Sequence, residues 1–178
     1  MGNLNETPSA NRLHIGIYGK TNSGKSSLIN AVTKQEVSIV ADVAGTTTDP
    51  VYKPMEIHPL GPCVIIDTAG FDDDSELGER RVEKTHLAAE KTDIAVVVLD
   101  IAEVIAAKKA GVPFKKAFKD EAEWSLLFAK KHTPVVFALN KIDEILLSAE
   151  AQEKSSGKLD NAAIEAAKCW VYEENSAV

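Results

Sequence analysis

The chain has 178 residues, 44% apolar and 26% charged, with a formal net charge of −7. That length fits one domain with a full core, and the acidity argues against nonspecific nucleic-acid binding, which needs a basic footprint. Two cysteines, Cys63 and Cys169, are too few for a zinc or iron-sulfur site and suggest no disulfide, so a reducing compartment is expected. The polar start, Met1 to Asn11, lacks the apolar region of a signal peptide, and Glu6 stands where a myristoylation motif needs Ser or Thr. The longest apolar run, Ile94 to Leu99, is too short to span a bilayer. A cytoplasmic protein is expected, with neither nucleic acid nor membrane as partner.

Leu13 to Tyr18 reads as a buried strand, and Ser26 to Val32 has the apolar spacing of a helix reaching about Lys34. Between them Gly19-Lys20-Thr21-Asn22-Ser23-Gly24-Lys25-Ser26 fits the pattern Gly-x-x-x-x-Gly-Lys-Ser/Thr. The two glycines let the backbone turn tightly, so that N–H groups and a helix N-terminus converge on an anion. In such a loop Lys25 reaches the β- and γ-phosphates and the Ser26 hydroxyl ligates Mg²⁺. Gly19, Asn22, Ser23, Gly24, Lys25, Ser26 and Ser27 are the candidate phosphate-binding residues.

Gln35 to Asp49, with Gly45-Thr46-Thr47-Thr48, has no clear periodicity and predicts a mobile loop. Val51 to His58 predicts a strand whose Pro54 suits a sheet edge, because proline cannot donate a ladder bond. Leu60-Gly61-Pro62 predicts a turn, and Cys63 to Ile66 a short buried strand ending at Asp67-Thr68-Ala69-Gly70. An aspartate ending an apolar strand is costly to bury alone, so Asp67 is expected to face a phosphate-bound Mg²⁺, with the Gly70 N–H approaching the γ-phosphate. Helices are predicted from about Glu79 to Lys91, from Glu121 to Lys131 and from Asn161 to Glu174, and strands at Ile94 to Leu99 and Pro134 to Leu139. Alternating strands and helices predict an α/β domain, a mostly parallel sheet with helices on both faces and its ligand beyond the carboxyl ends of the strands.

The last of those strands ends at Asn140-Lys141-Ile142-Asp143. A carboxylate accepts two hydrogen bonds from the N1–H and N2–H₂ edge of guanine, and adenine has no matching donor pair, so Asp143 selects GTP over ATP. Asn140 ties the loop together and the Lys141 stem covers the ring. In isolation the same four residues could be a helix start with Asp143 as its N-cap. His14, His58, His86 and His132 lack metal-ligand spacing. Cys63, Trp124 and Trp170 read as packing residues. Lys108-Lys109 and Lys115-Lys116 read as solvated surface.

Gly19 to Ser26, Gly45-Thr46-Thr47, Asp67 to Gly70 and Asn140 to Asp143 resemble the first four signature motifs of translation-factor-type small GTPases, with the P-loop NTPase, Ras-like fold. Asn22 within the phosphate loop, Ser27-Leu28-Ile29-Asn30 and the Gly-Thr-Thr run narrow the resemblance to the TrmE-Era-like class. Thr46 to Lys53, Leu60-Gly61-Pro62, Leu77-Gly78 and Arg81 to Thr85 are similar to HydF, the GTPase family of FeFe-hydrogenase maturation. The likeness covers roughly Pro8 to Asp143. It implies hydrolysis of GTP to GDP and phosphate, with Lys25, Thr47 and Gly70 catalytic and Ser26, Thr47 and Asp67 on Mg²⁺. It also implies Asn22 on a K⁺ ion that substitutes for an arginine finger; the alternative for Asn22 is a loop residue bonded to its own backbone. Phe71 stands where Ras-type enzymes carry the water-orienting glutamine; Glu76 is a candidate replacement, and a solvated acidic loop is the other reading.

After Asp143 the likeness weakens. Ser148-Ala149 comes too soon for a base-contacting loop, and Ser155-Ser156-Gly157-Lys158 follows no apolar strand. A truncated GTPase domain over 1–178 is expected, without the dimerisation and iron-sulfur domains of HydF. Implied partners are GTP and GDP and, through the longer protein, other hydrogenase maturation proteins or the hydrogenase. A homodimer, nucleotide-dependent or through the absent domains, is open. The alternatives are a GTPase of tRNA modification or ribosome assembly, and a nucleotide-gated interaction module with negligible hydrolysis.

Overall fold

In the computed structural model, residues 12–33, 50–68, 84–145 and 157–175 are described, the last stretch with side chains from Ala163 onward. The strands are β1 (Leu13–Tyr18), β2 (Val51–Ile57), β3 (Gly61–Asp67), β4 (Ile94–Asp100) and β5 (Val135–Asn140). They form one sheet in the order β2-β3-β1-β4-β5. β1 lies parallel to β3 and β4, β4 is parallel to β5, and β2 runs antiparallel to β3 at the margin. The apolar runs Cys63 to Ile66 of β3 and Ile94 to Leu99 of β4 suit strands covered on both faces. Pro54 sits in the marginal strand, as its missing donor requires.

Successive strand residues face opposite sides, so each strand feeds two cores. Ile15, Ile17, Cys63, Ile65 and Val98 pack with Ile29 of α1 (Lys25–Thr33). Tyr18, Val97 and Leu99 pack on the other face with the remaining helices. Those are α2 (84–90), α3 (Ile101–Lys109), α4 (Phe114–Ala117), α5 (Lys119–Lys130), α6 (a turn at 142–145) and α7 (Gly157–Asn175). Tyr18 carries much of this second core: it stacks on Trp124 with ring centroids 5.7 Å apart, and its hydroxyl meets Thr92 Oγ1 at 2.6 Å. Gly16 makes room for it, because a Cβ there would come within 2.6 Å of that hydroxyl.

Some boundaries and two helices differ from the sequence expectation. Gly61 and Pro62 belong to β3 and the turn falls at 58–60, since the β2–β3 ladder closes with Ile57 opposite Gly61. Residues 101–109 and 114–117, read as no element from sequence, are helical. The cause at the first is Asp100, whose Oδ1 accepts the Ala102 N–H at 2.8 Å and caps α3 directly from the strand. α7 begins at Gly157 rather than Asn161. Trp124 and Cys63 are buried, as packing residues should be, and Trp170 lies edge-on to Phe114. No helix among the described residues is long and apolar enough to cross a membrane.

Candidate nucleotide-binding site

The phosphate loop follows β1 at the carboxyl edge of the sheet. Its backbone takes φ of +142° at Gly19, +62° at Asn22 and +90° at Gly24. Positive φ at three of the six residues from Gly19 to Gly24 lets the loop curl so that backbone N–H groups can converge on an anion. The Gly24 carbonyl accepts the Leu28 N–H at 2.9 Å and so starts α1, aiming that helix's N-terminus into the loop. Lys25 is buried, and its Nζ donates to the carbonyls of Gly19 at 2.9 Å and Lys20 at 2.6 Å. Those two bonds hold an ammonium at the mouth of the loop. Ser26 and Ser27 are exposed on the first turn of α1.

The base motif is tied to this loop from the far side of the sequence. Asn140 Nδ2 donates to the Ser23 carbonyl at 3.0 Å across 117 residues. Gly24 permits the approach, because a Cβ on it would fall on Asn140 Nδ2. Lys141, with φ of +63°, donates from Nζ to Asp100 Oδ2 at 2.8 Å. Burial works to raise the Asp100 carboxyl, but the Lys141 hydrogen bond, the N–H groups of Ala102 and Glu103 and the lysine charge outweigh it and hold it below its ordinary range. The same partner raises Lys141. Asp143 is exposed within the 142–145 turn, past its first residue, so it is not the N-cap that the alternative reading required.

Asp67 ends β3 opposite Ile17, and Thr68 Oγ1 donates to the Ile17 carbonyl at 2.6 Å, which locks the end of β3 to β1 beside the loop. Burial pushes the Asp67 carboxyl up, and the charges of Lys53 and Lys25 pull against this. A half-buried carboxylate of this kind gains most from a cation. Among the described residues no three His, Cys, Asp or Glu side chains gather for a metal. Mg²⁺ needs no such cluster: it takes one carboxylate and a hydroxyl with phosphate oxygens and water, a donor set that Asp67 and Ser26 fit. Thr47, Gly70 and Glu76 lie outside the described residues. Two residues beside the phosphate loop, Asp100 and Glu121, which line one cavity with Lys20 and Ser23, are not legible as site residues in the sequence. The one signal for Asp100 is an acidic end to an apolar strand, whereas Glu121 has the sequence surroundings of an ordinary polar helix residue.

A mostly parallel sheet carrying a phosphate loop, a strand-ending aspartate and an Asn-Lys-x-Asp loop at one edge defines a P-loop guanine-nucleotide-binding domain. Residues 14–141 match the sequence profile of the family described as 50S ribosome-binding GTPase, and the chain belongs to that family as a GTPase domain of the TrmE/Era/Der type. It is 34% identical over 132 residues to the tRNA modification GTPase MnmE of Laribacter hongkongensis, covering 74% of this chain and 26% of that protein. Its fold resembles Aquifex aeolicus Era bound to GDP·AlF₄⁻, with a TM-score of 0.60 and 23% identity over 93% of this chain and 48% of Era. It also resembles Era in complex with MgGDPNP and nucleotides 1506–1542 of 16S ribosomal RNA, with a TM-score of 0.52 and 27% identity. That match covers 74% of this chain and 41% of the Era chain. The chain thus spans about a quarter of MnmE and under half of Era.

Proposed function

We propose that the protein binds Mg²⁺-GTP and hydrolyses it to GDP and phosphate, as the switch of a longer protein. The observation that carries this is the Asn140–Ser23 bond, which joins the guanine motif to the phosphate loop. Base choice and phosphate binding then act on one ligand. The loop N–H groups and Lys25 hold the phosphates, Asp143 accepts from the guanine edge, and Lys141, steadied by Asp100, lies beside it. Mg²⁺ bridged to Ser26, Asp67 and Thr47 would neutralise charge on the transferring phosphoryl group. Thr47 and Gly70 are proposed to sense the γ-phosphate, and Asn22 to hold K⁺, all on the resemblance of their motifs. Calorimetry with GDP and ADP, with phosphate release in K⁺ and in Na⁺, tests this. Equal affinity for the two nucleotides, or a rate untouched by Lys25→Ala, would refute it; a K⁺-independent rate would remove the Asn22 role alone.

For the biological output, one reading is hydrogenase maturation, which rests on the resemblance to HydF of residues outside the shared GTPase motifs, from Thr48 to Lys53 and from Arg81 to Thr85. The likeness to MnmE and Era supports a second reading, tRNA modification or ribosome assembly. Era was solved with ribosomal RNA. The acidity of this chain therefore does not by itself argue against an RNA partner. The complete gene product separates the two: a cluster-ligating Cys/His set whose loss abolishes hydrogenase activation favours the first, and RNA binding favours the second.

A further inference from the structure

Two buried side-chain oxygens among the described residues lack a hydrogen-bond partner, Ser23 Oγ and Glu121 Oε2. Both line one cavity of about 70 Å³ behind the phosphate loop, with Lys20, Phe118, Asp100 and Lys141 among its walls. A water needs roughly 10–15 Å³ of such space, so the cavity has room for water. Glu121, on α5, is 1% exposed, and its Oε2 lies 3.9 Å from Lys20 Nζ. That distance is too long for a direct hydrogen bond and suits one bridged by water. The Lys20 ammonium also sits 5.4 Å from the centre of the Phe118 ring. Lys20 in turn is a keystone of the loop, because its carbonyl accepts Lys25 Nζ at 2.6 Å and the Ser23 N–H at 3.3 Å.

A carboxylate this deep with one loose cationic partner weakens the fold; an apolar side chain of similar volume would be neutral or better. Burial raises the Glu121 carboxyl first; its own backbone N–H and Lys20 lower it, and Asp120 and Glu103 raise it further. Asp100 and Lys141 face the same cavity. Packing alone therefore does not account for Glu121. We propose that Glu121 is a positioning residue of the phosphate loop: with Ser23 and bridging water it pins the Lys20 side chain to α5. The Lys20 carbonyl is thereby fixed where it holds Lys25 for the phosphates.

The inference rests on the assignment of residues 19–26 as the phosphate loop. GDP affinity and melting temperature are to be measured for Glu121→Gln, Glu121→Leu, Lys20→Met and Lys20→Met/Glu121→Gln. The expected result is a loss of roughly tenfold in GDP affinity for each single variant, the scale of one charge-assisted contact. The double variant should lose no more than either single, and the melting temperature of the Glu121 variants should be unchanged or higher. Wild-type affinity in Glu121→Gln overturns the proposal. So do losses that multiply in the double variant, or an affinity loss accompanied by a lower melting temperature in Glu121→Gln, which keeps the side chain's shape. Lys25→Ala is the control for the assignment: if it binds GDP normally, the phosphate-loop reading fails, whereas weak binding there with normal Glu121→Gln defeats the positioning role alone.

Discussion

Replacing Asp100 by Asn isolates the bond that steadies the guanine motif. Asp100 Oδ2 accepts Lys141 Nζ at 2.8 Å with the two side chains 16% and 27% exposed, while Oδ1 caps α3 through Ala102. Asn caps a helix about as well as Asp, so the substitution removes the charge and keeps the cap. A hydrogen bond to a charged group contributes about 1.5–3 kcal/mol, and partial exposure puts this one near the lower end. Lys141 also holds φ of +63°, a conformation costing a non-glycine residue on the order of 1 kcal/mol, so the loop relaxes once released. GDP affinity in Asp100→Asn should fall about tenfold, the equivalent of roughly 1.4 kcal/mol. Stability at pH 7 should fall by about 1 kcal/mol. Asp100→Ala should lose a further ~1 kcal/mol with the cap. Because the folded carboxyl lies below its ordinary value of 3.8, its stabilisation is present above that value and lost as pH falls through the folded one. The gap between wild type and Asp100→Asn should therefore hold from pH 7 down to about pH 5 and close in stronger acid. Urea unfolding at several pH values and calorimetry with GDP measure both. Normal GDP affinity in Asp100→Asn, or a stability gap that widens in acid, would show that the Asp100–Lys141 bond does not steady the guanine motif.

Gly24→Ala should cost at least roughly 30-fold in GDP affinity, because φ of +90° is strained for alanine and the methyl falls on Asn140 Nδ2. In an Asn140→Ala background the same change should cost less, which a double-mutant cycle with GDP would read. Tyr18→Phe removes a buried hydroxyl contact to Thr92, whose own Oγ1 keeps the Ala88 carbonyl at 3.0 Å. The melt should therefore report a loss of only about 1 kcal/mol, with GDP affinity unchanged. Burial drives the Tyr18 phenol up to about 12, so its absorbance should show no ionisation below pH 10 until the fold is lost. Asp143→Asn should weaken guanine and admit xanthine nucleotides, since an amide donates where xanthine carries an oxygen; competition binding tests it.

Patterns confined to one stretch of chain could be read without a structure. The apolar runs of the strands, the Gly-x-x-x-x-Gly-Lys-Ser loop and the Asn-Lys-x-Asp loop each depend on neighbours a few residues away. They placed β1, β4, β5, α1 and the two nucleotide loops within a few residues of their observed bounds. Where neighbouring signals conflicted, reading failed: Gly61-Pro62 has the composition of a turn but lies in β3, because ladder pairing with β2 outweighs the local preference. α3 was missed because its cap is the last residue of a strand rather than part of a loop.

The chain by itself determined which chemistry gathers at one end of the sheet, since alternating strands and helices send every βα loop there. How those loops hold one another follows from contacts between parts of the chain that are far apart in sequence. Asn140 reaches Ser23 across 117 residues, Lys141 reaches Asp100 across 41, and Glu121 comes to lie behind the phosphate loop at 1% exposure. Such contacts depend on how helices settle against the sheet, and the burial that gives a carboxylate its role at Glu121 follows from that packing, not from its neighbours in sequence.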